Sequence, residues 1–261
     1  MTINTWFKLI VLLVLSISMV GCNSIKPSQT KEITISAAAS LKEPLVTLQE
    51  QFEKENPKIE LFFNYGGSGA LKNQIVQGAP VDVYISANKQ NVLDLINEEK
   101  MRQDGVVDLL SNQLVVIKSK REEKVMTFND LAQSNQKFAI GHPNTVPAGM
   151  YAKEALTSIG LWETLQKQLV YAKDVRHVLS LVEQGSVVGG IVYQSDARSS
   201  NKVQVMKRVS EDTYSQIMYS IGVIDDSSNK TIANSFVSFL TNSKAQKVFE
   251  DSGFVPLKIK E

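Results

Sequence analysis

The chain has 261 residues, 43% of them apolar, enough to bury a full core as one large domain or two of ordinary size. Its 28 Lys and Arg stand against 27 Asp and Glu, and a net charge of +1 argues against a nucleic-acid binder, which concentrates excess positive charge on one face. Two His and one Cys exclude a zinc cluster of recognised spacing, so no cation site is expected.

The N-terminal stretch carries one Lys, Lys8, then an unbroken apolar run from Leu9 to Leu15 that continues through Ser16 to Val20, then Gly21 and Cys22. The run is short for a bilayer span and matches the apolar core of a secretory signal. A small residue before the lone Cys resembles the bacterial lipobox, with Met19 where Leu is commonest. On that reading residues 1–22 are a lipoprotein signal, Cys22 carries the lipid, and residues 23–30 are a polar tether too short to fold. Ordinary signal cleavage beside an incidental free thiol is the alternative. Either way the protein is exported; with the lipid it is anchored on the outer side of the cytoplasmic membrane.

From Glu32 apolar runs alternate with amphipathic stretches. "EITISAAAS" predicts a strand, "LKEPLVTLQEQFEKEN" a helix ended by Pro57, "IELFFNY" a strand, "ALKNQIVQ" a helix stopped by Gly78 and Pro80, and "VDVYISA" a strand. This βαβαβ series implies a mainly parallel sheet covered on both faces, with ligands at the carboxyl ends of its strands. "LLSNQLVVIKS" leads to a second α/β series: strand "KFAIG", helix "MYAKEALTSI", a helical stretch from Trp162, strand "LVYAK", helix "VRHVLSLVEQ" and strand "GGIVYQSDA". A long strand over "YSQIMYSIGVIDD" and two amphipathic helices follow. The basic run "KSKREEK", 118 to 124, reads as an exposed loop, and Asp225 with Asp226 as a solvated turn.

Each turn at a strand's carboxyl end feeds a helix N-terminus, where free N–H groups and the helix dipole favour an anion. Ser40 also opens "SLKE", an S-x-x-E capping box with Glu43. Ser68 sits in "GGSGA", where Gly67 and Gly69 would let a ligand reach the backbone. The loop is not a Walker A, because Lys72 is followed by Asn73 and the spacing is wrong. It approximates a G-x-S-x-G nucleophile elbow, which makes a serine hydrolase using Ser68 the enzyme alternative. That fold needs a His near the end of the chain, and only His142 and His177 exist.

Four phrases, "AAASLKEPL", "GGSGALKNQIVQGAPVDVYISA", "VPAGMYAKEAL" and "DVRHVLSLVEQG" with "GIVYQSDA", together resemble the periplasmic molybdate-binding proteins of ABC transport systems, from about Ile33 to Phe254. The resemblance implies a type II two-lobed α/β periplasmic-binding fold, each lobe a mixed sheet flanked by helices. Lobe I would take residues 31–112 plus 223–261 and lobe II residues 113–222. It implies a binding protein and no enzyme: Ser40 and Ser68 would offer hydroxyls and N–H groups, Ala148 and Val175 backbone N–H groups, and Tyr193 its phenol. Arg176 would be a structural ion pair beside the loop. The glycines flanking Ser68 depart from the hydroxyl residues found in many relatives. The ligand would be molybdate or tungstate, without a cofactor; the partners, an ABC permease in the membrane and a lipid anchor, around a monomer. A receptor for another tetrahedral oxyanion such as sulfate is the alternative within the class. A tetrahedral dianion presents acceptors only, so hydroxyls and N–H groups can satisfy it without Lys or Arg. A hydrogen-bearing anion such as phosphate would find no acceptor.

Overall fold

The structure is a computed structural model and describes residues 30–123 and 127–257. The signal, Cys22 and all of the tether but Thr30 lie outside those residues.

Residues 31 onward form one compact unit built on two sheets. The chain enters through β1 (Lys31–Ala38), whose last residues are buried on both faces, as befits a central strand of alternating Ile and small residues. A 3₁₀ turn over Ala39–Leu41 leads into α1 (Lys42–Glu55). This helix buries Pro44, Leu45, Leu48 and Phe52, a stripe at helical spacing. It ends before Pro57, with Asn56 pushed out of helical conformation. Phe52 meets the rings of Phe236 and Phe239 edge-on, each 5.2 Å away. A fully buried phenylalanine of this kind contributes roughly 2–3 kcal/mol.

β2 (Ile59–Gly66), α2 (Ser68–Val76) and β3 (Val83–Ser86) follow as the sequence predicts. Then comes a helix the apolar pattern did not indicate, α3 (Lys89–Asn97), started by the Asn88 side chain, which accepts from Gln90 N. The run 109–119 divides: β4 (Val107–Ser111) belongs to the first sheet, while β5 (Leu114–Ser119) starts the second. Asn112 and Gln113 are all that separates them, so the chain crosses between lobes there.

The second lobe continues with α4 (Phe128–Ala132), β6 (Phe138–Gly141), α5 (Pro147–Ser158), α6 (Trp162–Leu165), β7 (Leu169–Ala172), α7 (Val175–Glu183), β8 (Gly189–Tyr193), α8 (Gln194–Arg198) and β9 (Val203–Arg208). The chain returns through β10 (Met218–Val223) and closes with α9 (Lys230–Thr241), α10 (Ser243–Asp251) and β11 (Val255–Pro256). The strand expected over 189–197 stops at Tyr193 because Asp196 accepts from Tyr193 N and starts α8. The stretch expected to be an exposed loop from 118 begins inside β5: Lys118 and Ser119 are buried, and Lys118 Nζ donates to the Glu122 carbonyl at 2.6 Å.

The first sheet runs β11-β4-β10-β3-β1-β2 and the second β7-β6-β8-β5-β9. Both are mixed. β1 is parallel to β2 and β3, and β6 to β7 and β8, but each lobe contains a strand reached by a crossing, β10 in one and β5 in the other, and these pair antiparallel to their neighbours. The series read as a mainly parallel sheet therefore accounts only for the parallel half of each. Register aligns Ala38 with Gly66, and Gly141 with Ala172. The carboxyl ends of the parallel strands in each lobe thus lie level, and their turns gather at one place.

Candidate functional site

Ser40, Ser68, Ala148, Val175 and Tyr193 all line one small cavity between the two lobes, of ≈ 10 Å³. Each lobe sends the start of two helices or turns toward it. Lobe I contributes the 3₁₀ turn after β1 and the first residue of α2; lobe II contributes the starts of α5 and α7 and the last residue of β8.

Ser40 is buried, and its Oγ lies 2.8 Å from Tyr219 Oη. The capping box does not form: α1 has Leu41 at its N-cap with no side-chain cap, because the tight turn carries Ser40 away from the helix axis. Glu43 is turned instead to an ion pair with Arg176 of the opposite lobe. Ser68 is fully buried, its Oγ accepting from Ala87 N at 3.0 Å and its carbonyl accepting from Tyr84 Oη at 2.7 Å. With one lone pair already engaged by a backbone N–H, its hydroxyl is set to act as a donor. Neither His142 nor His177 lines the cavity; both are exposed, and His142 packs against the Tyr171 ring. Ser68 therefore lacks the base that a nucleophile elbow requires.

Ala148 is the second residue of α5, after Pro147, which has no N–H to leave unpaired. Val175 is the first residue of α7, behind Asp174, whose carboxylate accepts from His177 N at 2.8 Å. The N–H groups of first-turn residues have no acceptor within their own helix. Tyr193 is fully buried, and its Oη has no hydrogen-bond partner among the described residues. Burial, with Tyr219, Tyr151 and Asp196 nearby, pushes this phenol well above its ordinary value, so it stays protonated and able to donate.

Gly67 and Gly69 also leave space for a neighbour that the sequence did not suggest. A Cβ on Gly67 would lie 2.7 Å from the Thr145 carbonyl oxygen and 3.1 Å from that of Lys173, both backbone atoms of the opposite lobe. Gly69 N and Ala70 N donate to the Thr145 carbonyl at 3.0 and 3.3 Å. The glycines admit lobe II, and the lobes meet through backbone hydrogen bonds at the rim of the cavity.

Among the described residues, no lysine or arginine lines the cavity. Arg176 stands beside Val175 with its guanidinium turned away, bonded to Glu43 and to Ser199 Oγ (2.6 Å), with Asp196 Oδ1 at 3.8 Å. Among the described residues no cluster of three or more His, Cys, Asp and Glu could hold a metal ion. The sequence reading missed the residues behind the wall. Asn112 sits in the crossing and Tyr219 in a strand read only as apolar, and nothing in their sequence context marks them.

Two α/β lobes joined by chain crossings, closed over a cavity of hydroxyls and helix starts, define a two-lobed solute receptor of the type II periplasmic-binding class. A profile described as bacterial extracellular solute-binding protein matches residues 33–255, and the chain belongs to that family, whose members bind solutes and are not enzymes. It is 40% identical over 239 residues to YvgL of Bacillus subtilis, covering 90% of this chain and 92% of that one; the role given to YvgL, an ABC transporter substrate-binding lipoprotein, is itself inferred. It is 34% identical over 229 residues to the molybdate-binding protein ModA of Escherichia coli, covering 85% and 88% of the two chains. The periplasmic molybdate-binding protein of Azotobacter vinelandii superposes with a TM-score of 0.75 at 23% identity over 88% of this chain and 100% of that one, a likeness of fold.

Proposed function

We propose that the protein captures molybdate, and tungstate nearly as well, between its lobes and delivers it to an ABC permease. Ser40, Ser68 and Tyr193 would donate through hydroxyls, and Ala148 and Val175 through backbone N–H groups. The observation that carries this reading is the polarity of the wall. Ser68 Oγ already accepts a backbone N–H, Tyr193 Oη has a proton and no partner, and two helix starts face the same space. Such a wall offers donors and almost no acceptors, which suits a fully deprotonated tetrahedral dianion. Hydrogen bonds to a charged group contribute about 1.5–3 kcal/mol each. Five give about 8–15 kcal/mol, the range of micromolar to sub-nanomolar binding before ordering costs are subtracted.

The names of the E. coli and A. vinelandii proteins support molybdate as the anion, and the role given to YvgL supports both the importer context and the lipid anchor at Cys22. On this reading lobe I spans residues 31–112 plus 223–261 and lobe II 113–222, hinged at the two crossings. The receptor acts as a monomer tethered outside the cytoplasmic membrane and uses no cofactor. Closure around the anion makes the form that the permease recognises.

Calorimetric titration with molybdate, tungstate, sulfate and phosphate is the test. Molybdate and tungstate should bind tightly and phosphate not at all, and Ser40→Ala with Ser68→Ala should weaken molybdate binding by at least about a hundredfold with the fold intact. Undiminished affinity in the double variant refutes this site.

A further inference from the structure

We infer that Tyr219, held by Asn112, sets which anions the cavity accepts by fixing the direction of the Ser40 hydroxyl. The inference rests on the oxyanion reading of the cavity and extends it to residues outside the cavity wall.

The hydrogen-bond polarity can be followed atom by atom. Asn112 Oδ1 accepts from Gln113 N at 2.9 Å, which identifies the other amide atom as Nδ2, a donor only. Nδ2 donates to Ser195 Oγ at 2.8 Å and turns toward Tyr219 Oη at 3.5 Å. Tyr219 is fully buried, and its Oη makes one further hydrogen bond among the described residues, with Ser40 Oγ at 2.8 Å. A donor on one side leaves the phenol proton a single acceptor, so Tyr219 donates to Ser40. Ser40 Oγ has no other hydrogen-bond partner among the described residues, and its own proton is directed at the cavity it lines. The relay runs Asn112 to Tyr219 to Ser40 to anion, each member donating forward. Ser68 reaches the same polarity by a separate route, through Ala87 N.

The fold places the relay with some care. Pairing between β10 and β4 shifts register between Tyr219 and Ser220, a bulge of the kind that re-aims a side chain beside a site. The Tyr219 ring is wedged edge-on between Tyr193 (5.9 Å) and Phe254 (5.4 Å), which limits its rotation. Burial keeps its phenol protonated.

The consequence is a selectivity filter. With Ser40 constrained to donate, a hydrogen-bearing dianion such as hydrogenphosphate brings a proton against a proton, whereas molybdate or sulfate does not. Tyr219 is thus a positioning residue that acts through Ser40. Removing its hydroxyl frees Ser40 to rotate and present a lone pair.

The test is competition titration of molybdate against hydrogenphosphate, at mildly alkaline pH, on the full chain and on Tyr219→Phe and Asn112→Asp. The wild-type arm tests the oxyanion reading by itself: failure to bind any fully deprotonated dianion sinks that reading and this inference together. Given wild-type binding, Tyr219→Phe should lose about threefold to tenfold in molybdate affinity, and the molybdate-to-hydrogenphosphate ratio should fall by about tenfold. Asn112→Asp supplies an acceptor to the phenol, reverses the relay and should lower the ratio further; both competitors are dianions, so the added charge cancels in the ratio. Tyr219→Phe and Asn112→Asp that fold with the wild-type ratio, or that lose both anions equally, show a merely structural role and overturn the inference.

Discussion

Asp196 is almost wholly shielded from solvent, directly behind Tyr193, and one of its oxygens has no hydrogen-bond partner among the described residues. Burial pushes its carboxyl up to about 7, even though the Arg176 guanidinium and the Tyr193 N–H favour the charged form; Glu43 and Asp174 add to the rise. An unfolded aspartate titrates near 4. Between about pH 4 and pH 7 the unfolded chain therefore gives up this proton first, and rising pH through that window lowers stability. Asp196→Asn keeps an acceptor for Tyr193 N and removes the titration. Thermal melts should show the variant gaining on the wild type as pH rises from about 4 to 7.5, and a difference that stays flat with pH would show that this carboxyl does not titrate there. At this scale the sequence was legible for the hydroxyls and opaque for the acid. Ser40, Ser68 and Tyr193 could be picked out by motif, whereas nothing about "YQSDA" says that its aspartate is buried.

The stretch from Gly66 to Ala70, which joins β2 to α2, both lines the cavity and bonds to lobe II. Gly67 has φ −66° and ψ 128°, open to any residue, so conformational freedom is not its purpose; the Thr145 carbonyl is. Gly67→Ala should leave lobe I unstrained on its own and obstruct the approach of lobe II, at a cost of about 1–3 kcal/mol in the closed form. The ligand-free melting temperature should stay close to that of the wild type while molybdate affinity falls roughly tenfold or more. A variant that binds normally would show that the loops can separate without harm to the site. The sequence suggested the glycines but not their contact with lobe II, because a meeting of residues 67 and 145 has no local signature. The capping box in "SLKE" failed for the same reason: the geometry of Ser40 is decided by Tyr219, far along the chain, and that of Glu43 by Arg176.

Across the whole molecule, the polar contacts between lobes include the Thr145 backbone bonds, the Tyr151 hydroxyl on the Ala87 carbonyl, Asn88 on Met150 and the Glu43–Arg176 ion pair. The pair is partly exposed, with side chains 41% and 27% accessible, so solvent screening limits it to about 0.2–1 kcal/mol. Arg176 keeps Ser199 when Glu43 is neutralised. Glu43→Gln should therefore speed molybdate release up to about fivefold, with association little changed and the gap narrowing in high salt. Stopped-flow dissociation measures it, and an unchanged release rate would mean that the ion pair contributes nothing to closure.

The sequence alone determined what is written in local periodicity and in short motifs: the alternation of strands and helices, and the helix starts that can face an anion. It also contained the five residues that converge on the cavity, through phrases whose order and spacing resemble a family. Only the tertiary structure decided that 109–119 divides between two sheets, that both sheets are mixed, and that Tyr219 and Asn112 stand behind Ser40. Pairing across a crossing and the direction of a buried proton depend on residues brought together from distant parts of the chain, and no local pattern encodes such a meeting.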